Sequence, residues 1–213
     1  MLRGGLVLSL PGRKEAQLSH GLLSDPRLYV ALARFDEELA DDAQRAGCAC
    51  GGRLHHADYP RKPRGVPPTL GDLHSRRHSF CCDTDGCRRR TTPVSVRFLG
   101  RRVYFAAVVV LVAAMRHGPT PARQETLREW IGIRARTLDR WRAWWRETFP
   151  ASAVWKSVCA RLIPAPEVQT LPASWMASMG EMHEAERLQW ILAWLLPLTT
   201  STPGRGASFL MGV

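Results

Sequence analysis

The stretch Val103-Tyr-Phe-Ala-Ala-Val-Val-Val-Leu-Val-Ala-Ala-Met115 is the most apolar run of the chain, and we place it at the centre of the predicted fold. It is apolar on every face, which predicts a helix buried on all sides. Its thirteen residues are fewer than the roughly 20 that cross a bilayer. The apolar start, Met1–Leu10, is too short and too rich in Gly for a signal peptide. We therefore expect a soluble, cytoplasmic protein without a membrane segment.

Two more helical patterns follow this run. Gly118-Pro119 closes the first helix, and Thr120 with Pro121 opens the second. Gly132 forms the next turn, and a third helix is predicted from about Arg134 to Phe149. Large apolar residues recur at helical spacing along it and predict one buried stripe: Leu138, Trp141, Trp145 and Phe149.

Residues Leu127 to Trp141 resemble the helix-turn-helix of bacterial transposases, in which an apolar-Gly-apolar turn leads into a helix bearing Arg, Thr and Arg-Trp. The resemblance implies that the third helix enters the major groove of DNA. Side chains away from the buried stripe would then meet base edges and phosphates, with Arg142 on phosphates. The expected contacts are Arg134, Arg136, Thr137, Arg140 and Arg142.

Five of the six cysteines fall between residues 48 and 87, in two short groups. Cys48-Ala-Cys50-Gly-Gly is one group, and Cys81-Cys82 with Cys87 is the other. Two such groups, separated by strand-like sequence, predict a zinc ribbon in which each hairpin tip supplies two thiolates. We expect one structural Zn²⁺ per chain, bound by Cys48, Cys50, Cys82 and Cys87. Cys81 or a histidine (His55, His56, His74 or His78) remains an alternative ligand, and a disulfide would need an oxidising compartment.

A basic, proline-rich segment lies between the two cysteine groups. It carries Arg61, Lys62 and Arg64, and Pro63-Arg64-Gly65 resembles the core of an AT-hook, although Val66 stands where that motif has Arg. Such an arm fits the minor groove of duplex DNA. A proline-rich connecting loop is the alternative. Beyond the second group, we expect phosphate contacts from Arg88, Arg89 and Arg90.

Charge is concentrated in the middle of the chain. The net charge of +11 divides into −1 over residues 1–46, +8 over 47–102, +4 over 103–150 and zero over 151–213. A concentrated basic block is typical of proteins with a polyanionic partner. A solvated basic surface is the alternative.

The expected fold is α+β, mostly α, with a small β unit. We predict an N-terminal helical segment at 1–46, a zinc-ribbon-like domain at 47–102 and a three-helix helix-turn-helix domain at 103–150. The N-terminal helix is expected over 24–46, with Leu28, Leu32, Phe35 and Leu39 on one face. A linker, an amphipathic helix over 174–196 and a loose tail complete the chain at 151–213.

Residues 48–149 resemble small zinc-ribbon plus helix-turn-helix proteins encoded with bacterial transposable elements. The resemblance implies a sequence-specific double-stranded DNA-binding protein. We expect no catalysis, because the 64 residues after Phe149 carry four carboxylates and no known catalytic motif. A transposase or recombinase partner, or self-association through 174–196, is expected instead.

Two other functions remain open. A transcriptional regulator could use the same helix-turn-helix, with 174–196 as its dimerisation element. A nuclease could activate a metal with His55, His56 and Asp58.

Overall fold

Helices form most of the molecule, and short strands form two small antiparallel sheets. The computed structural model describes residues 21–61, 72–99, 105–115 and 120–199. The predicted α+β class with mostly helices is confirmed. No helix in these ranges is long and apolar enough to cross a membrane.

Seven α-helices lie wholly within the described ranges, residues 21–24 are also helical, and three 3₁₀ turns accompany them. The helices are α1 Pro26–Ala46, α2 Ala106–Ala113, α3 Pro121–Ile131, α4 Ala135–Ala143, α5 Ala153–Cys159, α6 Ala173–Ala177 and α7 Glu184–Leu195. A π-helical turn, Trp144–Thr148, continues α4. The 3₁₀ turns are Asp72–Ser75, Val168–Thr170 and Leu196–Leu198.

The strands are short, and all pair antiparallel. They are β1 Leu54–His56, β2 Tyr59–Pro60, β3 Arg76–Arg77, β4 Phe80–Cys82 and β5 Arg90–Thr91. β4 is the middle strand of the sheet β1-β4-β5, while β2 and β3 form a separate pair. Leu54 lies opposite Cys82 in this register.

The α2 helix forms the centre of the larger core. All eight of its residues are buried, and it packs against α4 and α7. The predicted stripe on the third helix is also confirmed, since its four apolar residues, Leu138, Trp141, Trp145 and Phe149, are all buried. The entirely apolar sequence of α2 follows from this position, since no face of the helix meets water.

The N-terminal helix α1 joins two cores. Asp25 caps its first turn by accepting the Arg27 N–H at 2.9 Å. Leu28 and Leu32 lie in the larger core, as predicted. The prediction for Phe35 is wrong, because its side chain is 47% exposed and the next residue, Asp36, is buried instead. One turn later, Ala40 lies in a small cluster with Cys48, Leu54, Phe80 and Cys82.

The C-terminal part departs from the predictions in three places. The expected linker contains α5, whose Trp155 packs in the core. The expected single helix over 174–196 is two helices, because the chain turns at Gly180 with a φ of +66°. The expected loose tail from residue 197 is folded as far as Thr199, which is buried and accepts the Ser95 N–H at 3.0 Å, and the rest of that segment lies outside the described residues.

Candidate metal centre

The first cysteine pair lies in the tight turn after α1. Gly47 ends the helix with a φ of +69°, and Gly51 follows Cys50 with a φ of +87°. Cys48 N–H donates to the Gly52 carbonyl at 3.0 Å, which closes the turn. This pair therefore lies between a helix and β1, and the prediction that it occupies a hairpin tip is wrong.

The second pair lies in the connection between β4 and β5. Cys82 ends β4, and its N–H donates to the Arg89 carbonyl at 3.0 Å. Cys87 N–H donates to the Thr84 carbonyl at 3.0 Å. Arg88 follows Cys87 with a φ of +41°, as Gly51 follows Cys50 in the first turn. In both turns, the residue directly after the second cysteine therefore has a left-handed backbone conformation.

The two turns bring four sulfurs together. Cys48 Sγ lies 3.7 Å from Cys87 Sγ, and Cys50 Sγ lies 3.5 Å from Cys82 Sγ. All four Sγ atoms lie within 4.8 Å of one another. In a tetrahedron with metal–sulfur bonds of about 2.3 Å, adjacent sulfurs are about 3.8 Å apart. The four predicted cysteines therefore cluster at a spacing that could hold a metal ion.

The four thiols differ in solvent exposure and in pKa. Cys48 and Cys82 are buried, Cys87 is half-buried and Cys50 is exposed. The Gly52 N–H, followed by the other three thiols, lowers the pKa of Cys50 to about 6. For Cys87, the Arg89 N–H favours the thiolate, but the neighbouring thiols and desolvation outweigh it and raise the pKa to about 11. A cation placed among these sulfurs would favour the thiolate form of all four.

Gly52 lets the two turns approach each other, and the sequence reasoning did not single out this role. A Cβ at this position would lie 2.1 Å from Thr84 Oγ1 and 2.7 Å from Cys82 Sγ. Asp83 adds a second link, since its Oδ1 accepts the Arg53 N–H at 2.9 Å. The glycine of the C-x-C-G-G sequence is the signal that could have revealed this close approach.

The alternative ligands do not join the cluster. Cys81 lies next to Cys82 on β4, and its Sγ contacts the Arg88 carbonyl at 3.6 Å. His55 faces Asp83 at 3.4 Å, whereas His56 and His78 face Asp58 at 3.9 and 3.4 Å. Over the part of the chain that the structure describes, the only group of potential ligand side chains is the cysteine cluster. Of the three residues of the nuclease alternative, His56 therefore lies near Asp58, whereas His55 faces Asp83.

The predicted contacts on α4 divide into exposed and buried residues. Arg134, Arg136 and Arg140 are exposed, as a DNA-facing role requires. Thr137, which was also predicted to contact DNA, is only 8% exposed, and its hydroxyl oxygen accepts from Arg140 at 3.4 Å. Arg142 donates to the Met115 carbonyl at 2.9 Å, and burial lowers its pKa. That arginine therefore anchors α4 to the end of α2.

The other predicted basic contacts surround the sheet. Arg88, Arg89 and Arg90 are exposed beside the cysteine cluster, and Arg90 lies over the ring of Tyr59 with 5.9 Å between guanidinium carbon and centroid. Arg61 is half-buried after β2. Lys62 and Arg64, with the Pro-Arg-Gly sequence, lie outside the described residues.

Comparison with known proteins gives no functional assignment. No family model, curated protein or solved structure matches this chain. Its function must therefore be inferred from its own residues.

Proposed function

We propose that the four cysteines bind one structural Zn²⁺ and that the chain is a sequence-specific double-stranded DNA-binding protein. Zinc suits four thiolates arranged as a tetrahedron. With all four positions taken by protein, such an ion leaves no open position for substrate. Its role is to join the turn after α1 to the β4–β5 turn, in addition to the Arg53–Asp83 hydrogen bonds and the small apolar cluster that the two turns share.

The DNA-binding part of the proposal rests on the exposed arginines of α4. We interpret α3, the Gly132 turn and α4 as a helix-turn-helix. Gly132 has a φ of +67°, and the Ile133 N–H donates to the Leu127 carbonyl at 3.2 Å. The Trp141 side of α4 is buried, so Arg136 on the opposite side is free to point into a groove.

Two sets of arginines have different roles in this proposal. Arg136 lies in the first turn of α4, where a recognition helix contacts base edges, and its fork matches O6 and N7 of guanine. Arg89 lies beside the metal centre and meets phosphate. The segments carrying both sets hold the whole basic excess of the chain. Such an excess gives a binding constant that falls steeply with salt.

The biological setting that we propose is a mobile element. Its basis is the resemblance of residues 127–141 to transposase helix-turn-helix sequences. In this setting the chain selects the DNA site, and a separate transposase or recombinase supplies catalysis.

Selection from a library of random duplexes tests the DNA-binding proposal. The zinc-loaded full chain should enrich an ordered site of about 10 base pairs or more, consistent with a helix and neighbouring contacts. The Arg136→Ala variant should lose preference at one or two positions of that site. Enrichment without any shared sequence would contradict specific recognition, and binding independent of salt would contradict the electrostatic basis.

A further inference from the structure

A second group of charged residues lies in the interior, away from the cysteines. Arg77 on β3 is 2% exposed, Arg97 is 1% exposed, and Asp36 on α1 is 1% exposed. Arg97 Nε donates to Asp36 Oδ2 at 2.7 Å. Among the described residues, no salt bridge joins Arg77 to a carboxylate. The group therefore holds two guanidinium cations and one carboxylate, an excess of one positive charge inside the protein.

Three polar atoms of this region have no hydrogen-bond partner. They are Arg77 Nη1, Arg97 Nη1 and His74 Nδ1. Other nitrogens of the two guanidiniums have partners, since Arg77 Nη2 donates to the Pro93 carbonyl and Arg97 Nη2 donates to the Arg76 carbonyl. An unpaired buried donor loses its hydration without compensation, and the loss is larger when the group is charged. Buried polar groups in folded proteins are nearly always hydrogen-bonded, so these three atoms call for an explanation.

The three side chains are neighbours. The guanidinium carbons of Arg77 and Arg97 lie 5.6 and 5.1 Å from the centroid of the same Phe98 ring. Burial and then the charge of Arg97 lower the pKa of His74, so the imidazole responds to the same guanidinium. Two like charges held on one aromatic ring repel each other strongly where water does not screen them.

We propose that Arg77 and Arg97, with His74, bind a monovalent inorganic anion, which is chloride under ordinary conditions. One negative charge balances the excess of one positive charge. A halide accepts hydrogen bonds from any direction and would satisfy the two unpaired Nη1 groups and a His74 Nδ1–H. A doubly charged anion would instead leave the interior with a net negative charge. This site is independent of the zinc and DNA proposals.

Thermal unfolding at constant ionic strength tests the site. The zinc-loaded full chain is melted while chloride replaces gluconate, which is too large for an interior site. A ligand that binds only the folded state raises Tm as its concentration passes the dissociation constant. We expect a saturable rise in Tm of about 2–4 °C.

Two arginine variants separate a specific site from a general salt effect. Arg77→Met removes the excess charge and should abolish the dependence of Tm on chloride. Arg76→Met removes a neighbouring but exposed charge of β3, and its chloride dependence should match that of the unmodified chain. An equal chloride response in all three proteins would overturn the proposal.

A crystallographic measurement does not depend on whether Arg77→Met folds. Crystals of the unmodified chain grown in sodium bromide should show an anomalous peak beside Arg77 and Arg97. Absence of that peak at saturating bromide, or a Tm that does not respond to chloride, would show that the excess charge is balanced in another way and would overturn the proposal.

Discussion

The carboxylate of Asp36 and the guanidinium of Arg97 form a buried ion pair, 2.7 Å between Oδ2 and Nε, across 61 positions of sequence. Asp36 Oδ1 also accepts the Val96 N–H at 2.8 Å. The pair ties α1 to the segment that leads into α2. Because α1 also carries Ala40 into the small cysteine-bearing cluster, this contact links the cysteine cluster to the helical core.

Breaking the Asp36–Arg97 pair should destabilise the protein strongly. We expect Asp36→Asn to lower the free energy of unfolding by about 3–5 kcal/mol, because a buried guanidinium loses its counter-charge. Urea unfolding monitored by tryptophan fluorescence measures this free energy. Asp41→Asn changes an exposed carboxylate of the same helix and should stay within about 0.5 kcal/mol. Equal effects of the two variants would contradict a structural role for the pair.

Cysteine variants should distinguish the cysteines that bind the metal from those that do not. Metal analysis of the freshly purified chain should give about one zinc per chain. Cys50→Ser should reduce the zinc content severely, although Cys50 is the exposed member of the cluster. Cys81→Ser and Cys159→Ser should leave it unchanged, because neither sulfur belongs to the cluster. Retention of a full equivalent by Cys50→Ser would show that the ligand set is wrong.

Gly52→Ala tests the close approach of the two turns. The added Cβ would overlap Thr84 Oγ1 and Cys82 Sγ, so the second turn must move away. We expect metal affinity to fall by about 10-fold or more, which is the usual effect of disturbing the groups that orient ligands. A chelator competition measures the affinity. Gly21→Ala, where a Cβ meets nothing within 4 Å, should have no effect.

Variants of two arginines on α4 should separate DNA binding from the stability of the fold. On the selected duplex, Arg136→Ala should cost about 1–3 kcal/mol of binding free energy, and the variant should unfold like the unmodified chain. Arg142→Ala should instead lower stability, because it removes the hydrogen bond to the Met115 carbonyl. Fluorescence anisotropy and urea unfolding measure both quantities. If Arg136→Ala lowered stability without weakening DNA binding, α4 would be rejected as the recognition helix.

Two neighbouring residues of α7 test which of its faces belongs to the core. Ile191 is fully buried, and Ile191→Ala should cost about 2–5 kcal/mol of stability. Trp190 is 48% exposed, and Trp190→Ala should change stability far less. If sedimentation shows self-association that Trp190→Ala abolishes, the exposed face of α7 is its interface. Comparable destabilisation by both variants would place Trp190 in the core.

Local sequence determined the central helices and the choice of clustering cysteines, but not the division of the C-terminal part into α5, α6 and α7. The apolar run around Val108 could only be a buried helix, and the spacing of Leu138, Trp141 and Trp145 specified which side of α4 faces the core. The cluster of Cys48, Cys50, Cys82 and Cys87 followed from short spacings and from the alternation of Cys81 and Cys82 on one strand. These features depend on periodicity and on neighbouring residues, so they can be inferred without the fold.

Only the tertiary structure decided which polar residues enter the interior. Asp36 is one of several acids on α1, and nothing in its local sequence distinguishes it from Glu37 or Asp41. It is buried because Arg97, 61 positions later, lies opposite it in the folded chain. Arg142 became a helix anchor for the same reason, since it donates to the Met115 carbonyl 27 positions earlier. A polar side chain is buried only where a distant partner compensates its lost hydration, and the identity of that partner is a property of the fold.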